Sequence, residues 1–244
     1  MNTVSGVVKW LTDSANWHGS DGVPVRTLEH LRFSMLSLAI VIVIALPLAL
    51  WLGHIRRGGF VAVNVTNIGR AIPTFALLTV LALTSLGVSW KSLVLALVLF
   101  GIPPVLTNAY VGVREVDQEL VEAARGMGMT GFQQLWRVEL PLAMPLILNG
   151  IRLAAVQIVA TMTIASLVAG PGLGRIISEG FATQNKPELE AGGLLVVVLA
   201  LLVEGAFAWL QRRLDPVRRA HRVTSAPPPA SPDLLAGVDL TPAT

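Results

Sequence analysis

Five long apolar blocks, separated by polar stretches, run along the chain and predict its class. Each block approaches the ~20 residues that an α-helix needs to cross a hydrocarbon core of about 30 Å. Because only helices and closed barrels satisfy their backbone groups within lipid, these blocks predict an all-α polytopic membrane protein. The five predicted transmembrane helices cover about residues 31–53, 60–86, 92–113, 146–169 and 194–210.

The third block is interrupted by Gly101, Pro103 and Pro104. Proline lacks a backbone donor and restricts the residue before it, so a break in the helix is expected here. Irregular backbone at membrane depth is tolerated only beside protein or a water-filled cavity. Asn108 and Tyr110 follow the break, and they are therefore candidates for lining a route through the membrane.

Basic residues predict the orientation of the chain. The loops after the first and third blocks and the tail after the fifth carry ten Arg residues, whereas the opposite side carries six basic residues. Since cytoplasmic loops are enriched in Lys and Arg, the N-terminus is expected outside and the C-terminus in the cytoplasm. Residues 1–29 are then extracytoplasmic, 30–212 form the transmembrane domain with a cytoplasmic loop at 114–145, and 213–244 are a basic, then disordered tail.

Composition agrees with a membrane protein and excludes several other classes. Hydrophobic residues make up 53% of the chain and charged residues 14%, whereas a soluble domain carries about 25% charged residues. There is no cysteine, so neither a disulfide nor a thiolate metal site is expected. The basic residues cluster at the ends of apolar blocks, where orientation explains them, and no nucleic-acid partner is predicted. The blocks hold no constellation of catalytic residues, so an enzyme is not expected either.

The cytoplasmic loop begins with a stretch that predicts a short helix. Asp117 is placed to cap its N-terminus, and Leu120, Val121 and Ala124 give it an apolar side. Gly126 and Gly128 then end it.

A second short helix is predicted directly after the first. Thr130 and Gln133 have the spacing of a capping box, and Pro141 is expected to stop the helix at about residue 139. Phe132, Leu135 and Trp136 are available on this helix to contact another surface. The residues alone leave two alternatives: a partner protein docks here, or the loop rests on lipid headgroups.

The loop also resembles a known motif, the EAA loop of bacterial ATP-binding-cassette (ABC) importer permeases. The shared order is Glu-Ala-Ala, three residues, Gly, nine residues, Val, one residue, Leu-Pro, and the family usually has Ile where this chain has Val. The matching positions are Glu122, Ala123, Ala124, Gly128, Val138, Leu140 and Pro141.

The resemblance implies a type I importer permease fold and a non-catalytic transport subunit in a bacterial inner (plasma) membrane. In that family the loop forms coupling helices that dock into a cleft of a cytoplasmic ATPase, and Glu122, Ala123, Ala124 and Gly128 would be the core of the docking surface. The implied partners are ATPase subunits, a second permease copy or a paralogue, an extracytoplasmic solute-binding protein and lipid. The chain has no phosphate-binding Gly-x-x-x-x-Gly-Lys motif, so ATP is expected to be used by the partner and no cofactor is expected here.

Stretches outside the loop resemble the osmoprotectant subgroup of that family, which imports glycine betaine, carnitine, choline or related quaternary amines. They include "AIPTFALL", "VELPLAMPLILNGIRLA" and "AGPGLGRII". Two positions depart from the subgroup: Arg70-Ala71 stands where a polar amide is common, and Pro171 stands where a second Gly is usual. Amino-acid importers of the methionine type have a similar loop and remain the alternative, and an ion-gradient transporter is a more distant one.

Several polar residues inside the blocks are candidates for the transport route, each with a simpler interpretation. Arg70 either lines the route or extends to the cytoplasmic interface. Glu204 either pairs with Arg70 or makes a polar contact between helices. Hydroxyl and amide side chains within spans usually serve helix packing. The candidate route residues are Arg70, Asn108, Tyr110, Gln157 and Thr161.

Overall fold

The computed structural model describes residues 3–60, 64, 67, 69, 71–167 and 170–214, and every element of regular structure in these ranges is helical. A 3₁₀ turn, Ser14–Trp17, follows the first helix, and a π-helical turn, Leu135–Glu139, precedes the seventh. The helices are α1 Thr3–Thr12, α2 Val23–His54, α3 Thr74–Ala82, α4 Trp90–Arg114, α5 Gln118–Gly126, α6 Gly131–Gln134, α7 Leu140–Leu167, α8 Gly174–Ala182 and α9 Lys186–Leu214.

Within the described residues, four helical segments are long and apolar enough to cross a membrane. Of the predicted second span, 60–86, the structure describes the nine-residue helix α3, short parts before it and residues 83–86 after it. Arg70 lies outside the described residues. The four segments are Val23–His54, Trp90–Arg114, Gly131–Ser166 and Lys186–Leu214.

Helices α2, α4 and α7 pack together and form the core. Gly101 of α4 lies where the three helices meet, since a Cβ added there would be 2.7 Å from Val41 of α2 and 2.8 Å from Ile158 of α7. Gly150 of α7 approaches α4 in the same way, 2.8 Å from the carbonyl oxygen of Pro104. Small residues at such crossings let the backbones of membrane helices approach closely.

The prolines of the third block do not break its helix, so that expectation is wrong. α4 runs without interruption through Pro103 and Pro104. Pro104 cannot donate to the carbonyl of Phe100, and Gln157 of α7 donates to that oxygen instead, at 3.3 Å. A neighbouring helix thus supplies the hydrogen bond that proline removes.

Pro141 does not stop the helix that contains it either, which corrects a second expectation. The chain remains helical from Gly131 through the π-helical turn into α7. In that turn the N–H of Leu140 donates to the carbonyl of Leu135. This bond spans five residues instead of four, so the α-helical hydrogen-bond pattern is already interrupted just before Pro141. The proline therefore does not end the helix. The described part of the predicted fourth span, 146–169, is therefore the later part of a longer helix, which is described as far as Leu167.

The terminal helices complete the described fold. α1 packs against the start of α9, where a Cβ on Gly6 would be 3.0 Å from the ring of Pro187. α9 presents an exposed apolar face that includes Val197, Leu201 and Leu202. A wholly apolar exposed face on a long helix is typical of contact with lipid.

Candidate functional site

Helix α5 has the capped ends that the sequence predicts. The N–H of Glu119 donates to the Asp117 carboxylate at 2.9 Å. At the other end Met129 N–H donates to Ala124 O at 3.1 Å and Gly128 N–H to Arg125 O at 2.9 Å, the two bonds of a Schellman motif. Gly128 has a φ of +82° and open space around its Cβ position. Glycine is required there by the backbone conformation and not by lack of room.

The two sides of α5 differ in exposure. Of the three residues of the predicted apolar side, Val121 and Ala124 are buried, whereas Leu120 is 49% exposed. Leu120, Ala123 and Met127 lie at positions i, i+3 and i+7, which places them on one outward face.

Helix α6 begins with the predicted capping box. Thr130 N–H donates to the side chain of Gln133 at 2.9 Å, and Gln133 N–H donates to the Thr130 hydroxyl at 3.4 Å. The buried Gln134 side chain donates to Met129 O at 2.9 Å and ties α6 to the end of α5. The rings of Phe132 and Trp136 are exposed, with centroids 5.8 Å apart.

Together these helices present an exposed apolar patch, which we call the docking surface. It consists of Leu120, Ala123, Met127, Phe132 and Trp136, with Glu122 exposed beside it. Contiguous exposed apolar side chains rimmed by polar ones mark a surface that meets another molecule. The remaining motif residues, Val138, Leu140 and Pro141, are half-buried where the loop joins α7.

A pair that the sequence did not reveal, half-buried His54 and buried Glu139, joins this loop to α2. Nδ1 of His54 lies 2.6 Å from Oε2 of Glu139, and the Glu139 side chain is 2% exposed. His54 also approaches the start of α6, since a Cβ on Gly131 would be 3.2 Å from its Nε2. Glu139 stands within the motif, but no local pattern links it to a histidine 85 residues earlier.

Arg56, just beyond α2, holds the other end of the loop. Its two terminal nitrogens donate to the carbonyls of Arg114 and Val116, each at 3.1 Å. The Arg114 carbonyl belongs to the last turn of α4, where helix carbonyls lack intrahelical partners, and Val116 lies two residues beyond that helix. The φ of Arg56 is +53°, a conformation that costs a non-glycine residue about 1–2 kcal/mol.

The candidate route residues differ in what they contact. Gln157 is exposed while it donates to Phe100 O. Asn108 donates to Pro104 O at 2.8 Å and accepts from Asn149 at 3.2 Å, within the contact between α4 and α7.

The other two described candidates are buried in this conformation. Tyr110 is 3% exposed and its hydroxyl accepts from Arg114 at 3.0 Å. Thr161 is 8% exposed. Their role in the route stays a prediction, as does that of Arg70.

An apolar cavity of about 260 Å³ opens beside α4. It lies next to Phe100, the residue whose carbonyl Gln157 contacts. The described residues around it are all apolar, so a solute there would contact no charged side chain among them. They are Gly69, Ile72, Leu77, Leu99, Phe100, Ile102 and Pro103.

An ion pair within the predicted spans links α7 to α9. The Arg152 guanidinium contacts the Glu204 carboxylate and donates to Gln211 at 3.2 Å. Glu204 therefore makes a polar contact between helices, the simpler of its two interpretations. The sequence offered a signal for this pair, because Arg152 is an ionisable residue inside an apolar block.

The turn from Gly170 to Gly174 is closely packed, as its glycines suggest. Glu29 of α2 accepts a hydrogen bond from Gly172 N–H at 3.0 Å. Gly172 has a φ of +103° and lies against the buried His30, and a Cβ on Gly174 would be 2.3 Å from Thr163 O. Among the described residues, no three His, Cys, Asp or Glu side chains are grouped so that they could hold a metal ion.

Residues 31–219 match the profile of a family described as binding-protein-dependent transport system inner membrane component. The chain is 32% identical over 191 residues to the glycine betaine/carnitine/choline transport system permease protein OpuCB of Bacillus subtilis, covering 78% of this chain and 88% of the relative. It is 36% identical over 193 residues to the carnitine transport permease protein OpuCB of Listeria monocytogenes, covering 79% and 88%. It is 33% identical over 190 residues to the osmoprotectant import permease protein OsmY of Salmonella typhimurium, covering 77% and 80%.

Two solved structures share the fold. A chain of the inward-facing MetNI methionine ABC transporter aligns with a TM-score of 0.68 at 24% identity, covering 79% of this chain and 96% of that chain. A chain of an amino acid ABC transporter with histidines aligns with a TM-score of 0.65 at 18% identity, covering 90% and 99%. At these identities the likeness establishes the arrangement of helices alone.

Proposed function

Because the chain belongs to the family of binding-protein-dependent transport system inner membrane components, it is a permease subunit of an ABC importer, and we propose that it imports osmoprotectant quaternary amines. Glycine betaine, choline and carnitine are the solutes named for its relatives, which are 32–36% identical over most of their length. We place the subunit in a bacterial inner membrane. It catalyses no reaction and binds no cofactor, and a separate cytoplasmic ATPase uses the ATP.

The docking surface is the observation that carries the coupling role. Five apolar side chains are exposed on the capped helices α5 and α6, the residue after α5 and the π-helical turn after α6. They lie at the end of the bundle where α2 and α4 stop. A partner that buries these side chains gains affinity from the hydrophobic effect, and the capped helices hold them in a fixed arrangement. We assign this partner role to the ATPase. Glu122 and Ala123 face it, whereas Ala124 and Gly128 set the position of α5.

Contacts among the helix ends support the proposed topology of five spans with an extracytoplasmic N-terminus. The end of α2 contacts the loop through His54 and Glu139, and the end of α9 contacts the start of α7 through Gln211 and Pro145. Within the described residues, these contacts gather basic side chains of three segments at one end of the bundle, as the positive-inside rule requires for the cytoplasmic side. Residues 1–29 are then extracytoplasmic, and 213–244 form a cytoplasmic tail.

The open face of α7 and the adjacent cavity support a route formed by two permease chains. Gln157 and Leu153 are exposed on α7, and Leu99 is exposed on α4 beside the apolar cavity. A second copy or a paralogue facing this surface would enclose the route. Since the described lining lacks an aromatic cage for a quaternary ammonium, we assign primary recognition to an extracytoplasmic binding protein.

No specific contact supports either alternative function, an amino-acid importer or an ion-gradient transporter. The likeness to the methionine and amino acid transporters lies at 24% and 18% identity and concerns the fold. An ion-gradient transporter would use acids within its spans for coupling, and Glu204 is held by Arg152.

The proposal is tested by reconstituting the chain with the ATPase and the binding protein from neighbouring genes. We expect ATP-dependent uptake of glycine betaine, choline or carnitine into liposomes, and no uptake when the ATPase carries an inactivated site. Methionine serves as the competing solute in the same assay. Uptake of methionine with none of the three amines would overturn the solute assignment and keep the permease role.

A further inference from the structure

We propose that the end of α2 is a clamp that holds the coupling loop (residues 114–145) in position, with Arg56 at the start of the loop and His54 at its end. The inference rests on the proposed function, because it concerns how motion of an ATPase reaches the membrane helices. Neither residue belongs to the motif of the loop, and both lie on another part of the chain.

Arg56 fixes the direction in which the chain leaves α4. Its two terminal nitrogens donate to the carbonyls of Arg114 and Val116, which stand on either side of the helix end. A guanidinium is a planar fork with its donors in fixed directions. Two such bonds therefore set both the position and the orientation of the segment that leads into α5.

Arg56 occupies a backbone position at which glycine is the usual residue. Its φ of +53° is one that glycine adopts freely, and Gly58 two residues later has a φ of +85°. A non-glycine residue in this region is uncommon, and such strain persists where the surrounding structure maintains it. Here a Schellman motif at the end of α2 maintains it, because Arg57 N–H donates to Leu52 O at 3.2 Å and Arg56 N–H to Gly53 O at 3.0 Å. The guanidinium adds two hydrogen bonds to the next segment.

His54 contacts the C-terminal part of the loop. Its Nδ1 lies 2.6 Å from the buried Glu139 carboxylate in the π-helical turn. The opposite side of the ring faces Gly131, the first residue of α6, where a Cβ would be 3.2 Å from Nε2. One ring thus contacts the segment 131–139 at both of its ends and fixes it relative to α2.

A clamp at both ends changes how the loop responds to force. With the ends held, displacement of the docking surface carries the packed helices α2, α4 and α7 with it. With the ends released, the loop bends and absorbs part of the displacement. A functional site that is loose by about 1 Å loses much of its activity even when every contacting residue is present.

The first test replaces Arg56 with glycine in the full importer, reconstituted with its ATPase and binding protein. Arg56→Gly removes the guanidinium and relieves the backbone, so the variant folds. We expect the ATPase to stay bound and to hydrolyse ATP, while glycine betaine uptake per ATP falls about five-fold or more. The matched control is Arg57→Gly, which removes the same charge from the exposed neighbouring residue and is expected to stay within about two-fold of wild type.

The second test separates positioning from stability at the other end. His54→Leu alone leaves the buried Glu139 carboxylate without its partner and is expected to reduce the yield of folded protein. The double variant His54→Leu/Glu139→Leu removes both groups and is expected to recover stability. We expect it to remain uncoupled, with ATP hydrolysis preserved and uptake low. Recovery of uptake together with stability would make the pair merely structural and overturn the proposal.

The remaining outcomes are also decisive. Wild-type uptake per ATP in Arg56→Gly overturns the clamp. Loss of ATPase binding in Arg56→Gly does so as well, because Arg56 would then be a direct contact. A wild-type importer that shows no ATP-driven uptake overturns the proposed function, and the clamp with it.

Discussion

At the scale of single residues, the shape of the docking surface depends on backbone conformation at the end of α5. Gly128 directs the chain from α5 toward α6, and nothing lies within 4 Å of its Cβ position. Gly126 has equally open space but an ordinary φ. The two glycines therefore separate the effect of conformation from the effect of volume.

We expect Gly128→Ala to destabilise the loop by about 1–2 kcal/mol, because alanine is strained at a φ of +82°. Uptake per ATP should fall, because α5 and α6 no longer keep a fixed relative orientation. The control Gly126→Ala adds the same methyl group in a helix and is expected to be neutral or slightly stabilising. Thermal unfolding and the liposome assay measure both variants, and equal effects of the two substitutions would contradict this account.

Residues whose role is local could be predicted from the sequence. Asp117, Thr130 and Gly128 act on backbone groups within a few positions, so their spacing suffices to assign caps and a terminator. The His54–Glu139 pair could not be found in this way, because its partners are brought together by the packing of α2 against the loop. The exposure of Leu120 depends on the rotation of α5, which tertiary contacts decide.

At the scale of elements, the length of the apolar blocks predicted the long helices, whereas the helix breaks predicted at the prolines are absent. The sequence shows which hydrogen bonds Pro104 and Pro141 remove, but not what replaces them. In α4 the replacement is Gln157 from another helix, and before Pro141 it is a change of hydrogen-bond register. Both depend on arrangements that a one-dimensional pattern does not contain.

The close crossing of α4 and α7 gives a prediction at this scale. We expect Gly150→Ala to destabilise the protein by about 1–3 kcal/mol, because the added Cβ would lie 2.7 Å from Cβ of Asn108 and 2.8 Å from Pro104 O. Gly193→Ala in α9 is the control, since nothing lies within 4 Å of that position. Thermal unfolding in detergent distinguishes them, and a neutral Gly150→Ala would show that the helices separate readily.

At the scale of the whole molecule, length, hydropathy and charge distribution predicted a polytopic helical protein without any structural information. They did so because the membrane restricts the available architectures. Which exposed face meets lipid, a second permease or an ATPase depends on partners, and the sequence of one chain does not contain them.

The chain has no cysteine, so single cysteines report the topology without background. We expect Val8→Cys to react with a membrane-impermeant maleimide in right-side-out vesicles, and Phe132→Cys to react only after permeabilisation. Both positions are well exposed, at 53% and 72%. Bound ATPase should protect Phe132→Cys and leave Val8→Cys unchanged. The reverse labelling pattern would invert the proposed orientation.

The continuous helix from Gly131 through α7 also has a mechanical consequence. Its 36 residues up to Ser166 span about 54 Å, with the aromatic rings of the docking surface at one end and the turn at Gly170 just beyond the other. In a lever of this length, a tilt of about 5° about the inner end displaces the outer end by about 5 Å, within the range of known hinge motions. If an ATPase acts on this surface as proposed, a small rotation imposed on Phe132 and Trp136 would be amplified into a solute-sized displacement at the other end of the helix.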